Sequence, residues 1–281
     1  VLTTDEAYQF LLGWSGFVAR NPHVFEGVGR ASDIDRAKAD GKVAVIMGLQ
    51  TSEHFREPKD VKTFYQFGQR VSQLTYNSQN RIGSGCTERV DGGVTDFGAA
   101  IIAEMNAVGM LVDTSHCGDR TTLDAIALSK GPIAVTHGNC RALNNHPRTK
   151  TDEAIKALGA KGGMMGITGI RNFLTARDPT TIVNLVDQID HVGKLIGFDK
   201  VGIGSDADLY GYDDMDPKLL ALMKKGFDAY AFRDKIDTDG FDDPLKMYNL
   251  AEEMVRRNHS DETVRGVLGD NFRRLLGAVW K

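Results

Sequence analysis

Two histidines occupy equivalent points of a repeated pattern. Gly109-Met110-Leu111-Val112-Asp113-Thr114-Ser115-His116 and Pro132-Ile133-Ala134-Val135-Thr136-His137 are apolar runs that each end in an imidazole. Between them Asp119 to Lys130 has helical apolar spacing at Leu123, Ile126 and Ala127, and Gly131 stops it. A strand, a helix and a strand joined by a right-handed crossover make the two strands parallel. Both imidazoles then come to one edge of a sheet, the carboxyl edge where α/β folds bind ligands and metals. The pair reads as a shared metal or ligand site.

The elements that must hold such a site recur along the chain. Residues 3 to 20 have amphipathic helical spacing behind a Thr4-Asp5-Glu6 cap, and a second helix starts at Ser32. Strands are expected over 43–49, 71–76, 109–114, 132–136, 163–168 and 201–205, with helices over 59–70, 95–108, 119–130, 151–159 and 179–196 between them. All six strands are apolar on both faces, as parallel strands are. Most run into a residue with chemistry to offer: Gln50, Asn77, His116, His137 or Asp206. A site drawn from many strand ends is the habit of a (β/α)8 TIM-type barrel. The expected architecture is therefore one barrel domain over residues 1–281, with a helical segment over 245–281 and two strands short of eight. An open doubly wound sheet is the alternative. It draws its site from fewer strands, and no GxGxxG follows any strand here.

Composition narrows the chemistry. A net charge of -4 and a pI near 6.0 give no electrostatic reason for binding nucleic acid or an anionic membrane. No apolar run is long enough for a transmembrane helix, and no basic-then-apolar leader opens the chain. Cys86, Cys117 and Cys140 form no CxxC and are odd in number, so reduced thiols are expected. The compartment is left open between cytoplasmic and exported. Arg81 to Gly93 is long and Gly-rich, as a lid or substrate loop would be. His54, just past Gln50, is a further candidate for the cavity, whereas His23, His191 and His259 read as surface residues and His146 as support for its loop.

Taken together, Gly48-Leu49-Gln50, Leu74 to Asn80, Asp113-Thr114-Ser115-His116, Thr136-His137-Gly138-Asn139 with His146-Pro147-Arg148, and Gly204-Ser205-Asp206 stand in the order found in the membrane (renal) dipeptidase family of zinc metallopeptidases. The ending Gly269-Asp270-Asn271-Phe272-Arg273-Arg274 resembles that family as well. The resemblance implies an amidohydrolase-like barrel that cleaves dipeptides or similar small amides through a metal-bound hydroxide. It also implies two zinc ions sharing a carboxylate, and a homodimer as the assembly to look for. His116 and His137 fall on two metal ligands, Arg148 on the residue that binds the substrate carboxylate, and Asp206 on the acid that handles the proton. The residue types suit these tasks. Neutral imidazoles ligate zinc, a carboxyl protonates a leaving amine, and a guanidinium grips a carboxylate in two places.

Three departures accompany the resemblance. The His-x-Asp pair of the family's first strand has no counterpart before Gln50, so the natural chain is expected to be longer, with the first two strands ahead of Val1. The bridging glutamate is Gln50, whose amide carbonyl is a weak ligand and a poor bridge between two dications. Asn77 stands where a substrate-contacting histidine is expected, and it can still donate a hydrogen bond to an oxyanion. Gln50 keeps two further readings open: a member with lost or altered peptidase activity that binds or modifies a peptide-like ligand, and a mononuclear amidohydrolase-like site on the same histidines.

Overall fold

Local signals place the first helix. Thr3 Oγ1 accepts from Glu6 N at 3.2 Å while the Glu6 carboxylate accepts from Thr3 N at 2.8 Å, a capping box that starts α1 (Thr4–Arg20). The structure, a computed structural model, describes residues 2–208 and 210–281. It divides into two compact units, one running to Ala134 and taking in Arg273–Lys281, the other Val135–Phe272.

In the first unit α1 is followed by β1 (Phe25–Gly27), α2 (Ala31–Ala39), β2 (Val43–Val45), β3 (Met47–Leu49), α3 (Asp60–Gln66), β4 (Gln69–Gln73), α4 (Asp96–Val108), β5 (Leu111–Asp113) and α5 (Asp119–Leu128). The run expected as one strand over 43–49 breaks at Ile46. β2 pairs in parallel with β1, whereas β3 pairs in parallel with β4, its register shifting between Met47 and Gly48. β1 escapes a sequence reading because Phe25-Glu26-Gly27 is short and has no apolar run. β4 pairs in parallel with β5, and Asp113 of β5 lies opposite Ala134, where β6 (Ala134–Cys140) begins. Thr95 caps α4 by accepting from Gly98 N at 2.9 Å, and Gly109 ends it at φ 85°, a left-handed turn that favours glycine. Met105, Ile101 and Ile102 of α4 are buried with Leu111 and Val112 of β5.

In the second unit β7 (Thr149–Lys150) pairs with β6, β6 neighbours β8 (Met164–Ile167), and β8 pairs in parallel with β9 (Val201–Ile203). The helices are α6 (Asp152–Ala160), α7 (Arg171–Leu174), α8 (Ile182–Ile196), α9 (Pro217–Gly226), α10 (Met247–Arg256) and α11 (Asp261–Arg265). α8 buries Leu185, Val186, Ile189 and Val192, the stripe its periodicity predicts, but starts at Ile182 because Thr181 supplies the cap. Asn271 opens α12 (Asn271–Val279) and its Nδ2 donates to the carbonyls of Phe198 and Val201 at 2.9 and 2.8 Å, tying the helix start to β9. From Arg273 onward α12 belongs to the first unit, where Arg273 pairs with Asp35 and Trp280 Nε1 donates to Arg70 O. Among the described residues no helix is long and apolar enough to cross a membrane.

Candidate functional site

In the first unit Gln50, Asn77 and His116 follow β3, β4 and β5, neighbours in one parallel ladder. His116 is 3% exposed, and its Nδ1 lies 2.7 Å from Asn77 Oδ1. An amide oxygen only accepts, so Nδ1 carries a proton. Asn77 can turn back to the imidazole because its backbone is left-handed, at φ 60°, a conformation asparagine tolerates. The loop after it holds it there. Thr87 donates to Asn77 O from N and Oγ1 at 3.0 and 2.9 Å, and Cys86 N donates to His116 O at 2.8 Å. Gly85 allows this approach, since a Cβ there would sit 1.9 Å from Asn77 O. The Gly-rich stretch expected as a lid is thus fastened down. Gly85 bridges to Cys117, Gly83 bridges to Val94, and Asp91 accepts from Arg120 N and Thr121 N at the start of α5.

Gln50 lies at the mouth of a cavity of about 390 Å³ that also has Thr51, Glu53, Tyr76, Gln79 and Asn80 in its wall. Gln73 Nε2 fixes the Gln50 carbonyl at 2.6 Å. The residue standing between this cavity and His116 is Tyr76, stacked on the imidazole with ring centroids 4.3 Å apart. Tyr76 and Glu53 are among the cavity residues that sequence reasoning missed. The available signal was Asn77 itself: an asparagine suited to the left-handed region marks a turn just past β4, with Tyr76 at its start. His54, a candidate for the cavity, is instead a core residue. It is fully buried, packs against Phe55 and Phe64, and donates from Nε2 to Gln69 Oε1 at 3.1 Å. Burial pushes its pKa down to about 4.

In the second unit His137 lies within β6, which runs on to Cys140 rather than ending at the histidine as expected, Arg148 precedes β7, and Asp206 follows β9. His137 Nδ1 is hydrogen-bonded to Thr136 Oγ1 at 2.8 Å. Close strand approach requires glycine here: a Cβ on Gly166 or Gly204 would lie 2.1 or 1.8 Å from Thr136 O. The second of these brings the chain just before Asp206 against the His137 backbone. Arg148 is 1% exposed, donates from Nη2 to His137 O at 3.4 Å, and lies over the Phe173 ring at 5.3 Å. His146 supports it. His146 Nδ1 accepts from Arg148 N at 3.1 Å, Nε2 donates to Tyr230 O at 3.1 Å, and burial lowers the imidazole pKa. Asp206 is half-buried with a left-handed backbone, and its carbonyl accepts from Tyr212. His191 and His259 pair with Asp152 and Asp190 away from these strand ends. The three cysteines are free thiols, and burial raises that of Cys140.

Each unit carries one histidine of the kind that ligates metals. Each imidazole has its Nδ1 engaged by an oxygen, the support that orients metal-ligating histidines. A carboxylate-bridged pair of ions is not matched. Gln50 is a neutral amide, and among the described residues no group of three or more His, Cys, Asp or Glu side chains is placed to hold a metal.

Comparison with known proteins agrees with this arrangement of motifs. The model of the membrane dipeptidase family, peptidase family M19, matches residues 13–217. The chain is 29% identical over 252 residues to dipeptidase verJ of Clonostachys rogersoniana, covering 89% of this chain and 58% of that protein. To dipeptidase tcpJ of Claviceps purpurea it is 29% identical over 255 residues, covering 89% and 54%. It therefore spans a little over half the length of the curated relatives it matches. A crystal structure of an amidohydrolase from Pseudomonas aeruginosa superposes with a TM-score of 0.87 at 31% identity, over 96% of this chain and 83% of that one. The α/β, TIM-type fold class expected from the strand–helix succession is that of these relatives, and the chain belongs to the membrane dipeptidase family.

Proposed function

We propose that the protein is a metal-dependent hydrolase of dipeptides or similar small amides, with His116 and His137 as imidazole ligands. The observation that supports this reading is the hydrogen bond from His116 Nδ1 to Asn77 Oδ1 just past β5, the kind of bracing that orients a metal-ligating imidazole. His116 and His137 would hold a zinc ion, which would supply Lewis acidity for hydrolysis of the amide. Arg148 binds the substrate carboxylate. Its guanidinium is buried, so little water competes for its donors. Asp206 passes the proton to the leaving amine. Asn77, whose amide oxygen accepts from His116, donates to the oxyanion that develops on the substrate. Gln50, without charge, favours a single ion over two.

Metal content of the purified full-length protein, measured by elemental mass spectrometry beside a dipeptide hydrolysis panel, tests the proposal. Turnover with about one zinc per chain is expected. Gln50→Glu is expected to raise both the zinc content and the rate. Neither zinc uptake nor turnover after zinc is supplied would overturn the proposal. It would favour the alternative that Gln50 supports, a family member that binds or modifies a peptide-like ligand.

A further inference from the structure

One side chain of the fastened loop reaches the pair formed by Asn77 and His116. Cys86 is half-buried, and its Sγ lies 3.6 Å from Asn77 Oδ1, the same oxygen that His116 Nδ1 approaches at 2.7 Å. The radius of sulfur makes the longer of these a hydrogen-bonding distance for a thiol, a weak donor. Two donors therefore converge on one amide oxygen.

The backbone delivers the thiol there residue by residue. Gly85 meets Asn77 O too closely for a Cβ, Cys86 N donates to His116 O at 2.8 Å, and Thr87 N donates to Asn77 O at 3.0 Å. Gly85 also bridges to Cys117, the residue after His116. The same three residues that carry the thiol thus grip the backbones of both partners, and Sγ is held in register with them.

An amide has nearly the same shape either way round but exchanges an acceptor for two donors when it turns over. Turned over, Asn77 would aim its NH2 at the thiol and at the imidazole. The imidazole could answer by moving its proton to Nε2, whereas sulfur is only a weak acceptor. The thiol therefore favours the orientation in which the amide oxygen faces His116.

We propose that Cys86 is a positioning residue for His116: its thiol holds the Asn77 amide oxygen toward the imidazole and so keeps the proton on Nδ1. This rests on the reading of His116 as a metal ligand and deepens it, because a neutral imidazole with its proton on Nδ1 keeps Nε2 for zinc.

The test compares the full-length natural protein with Cys86→Ala, Cys86→Ser, Asn77→Ala and the combination of Cys86→Ala with Asn77→Ala. Imidazole nitrogen NMR shifts of the metal-free proteins report the share of His116 with Nδ1 protonated, at a pH where the ring is neutral. Zinc affinity is read separately by chelator competition. Cys86→Ala is expected to lower that share and to weaken zinc about threefold, the scale of one weak neutral hydrogen bond. Cys86→Ser keeps a donor and is expected to restore most of both. In the Asn77→Ala background, removing the thiol is expected to change neither, because it acts through the amide alone. Equal effects of Cys86→Ala in both backgrounds would overturn the proposal, and so would an unchanged share in Cys86→Ala. A larger loss of zinc in Cys86→Ala than in Asn77→Ala would make the thiol itself a ligand and overturn it too. The expected shifts in a protein that takes up no zinc would uphold the positioning role and sink the hydrolase reading alone.

Discussion

The two strand edges solve the same problem, holding an imidazole, with opposite electrostatics. In the first unit His116 is braced by the neutral amide of Asn77, covered by the Tyr76 ring and followed by a loop pinned at Gly85. In the second unit His137 is braced by a hydroxyl, its carbonyl receives the buried Arg148 guanidinium, and Asp206 stands at the end of β9. The first edge is built for position and the second for charge. Neutral bracing fixes a tautomer without shifting the charge of the site, whereas a buried guanidinium is an anion anchor by construction.

If that division holds, the variants separate by what they disturb. Asp206→Asn removes the proton-handling group of the charged edge, and kcat is expected to fall by about 10²–10⁴-fold in steady-state kinetics with little change in fold. Acid acts first through a core histidine of the first unit. His54 has a folded pKa of about 4 against an ordinary 6.5. Its neutral form is favoured by folding, so its stability contribution is complete above pH 6.5 and is lost as pH falls toward 4. Urea unfolding across that window is expected to show a loss of about 3 kcal/mol, with His146 adding in the same direction and His54→Gln flattening the slope. An unchanged slope in that variant would show that His54 is not the group that senses acid.

Arg148→Lys keeps the charge of the second edge but not the planar fork. It is expected to raise KM for dipeptides by about tenfold, with a smaller change for dipeptide amides, which lack the carboxylate. Asn77→Ala should be the mildest. Losing the brace on His116 is expected to weaken zinc about tenfold in a chelator competition, at the low end for a lost supporting contact, while Asn77→Asp retains an acceptor and most of the affinity. Equal losses in both variants would mean that the left-handed backbone at 77, not the hydrogen bond, is what matters.

Much of this arrangement was legible in the sequence. The run leading to His116, the helix after it and the stripe of α8 are local patterns, and the structure places them as expected, whereas β6 continues past His137 to Cys140. The break at Ile46 was not legible, because Lys42 to Gln50 reads as one continuous strand and only pairing partners divide it. Nor was the fate of two polar stretches. Glycine suggests mobility in Arg81 to Gly93, but at Gly85 it is there because the loop comes within a Cβ's reach of Asn77 O. His54 and His116 both follow an apolar strand. One is enclosed by Phe55 and Phe64 and the other lies against the wall of a cavity, a difference of tertiary neighbours alone.

By itself the sequence determined which residue types reach the strand ends, because a two-residue alternation and a helical period are written in neighbouring positions. It also determined the absence of a carboxylate at Gln50, and with it the case against a bridged pair of ions. Tertiary structure decided the roles. Whether an amide faces a substrate or an imidazole, as at Asn77, and whether a glutamate faces solvent or a cavity, as at Glu53, depends on backbone conformation and on chain segments far apart in sequence.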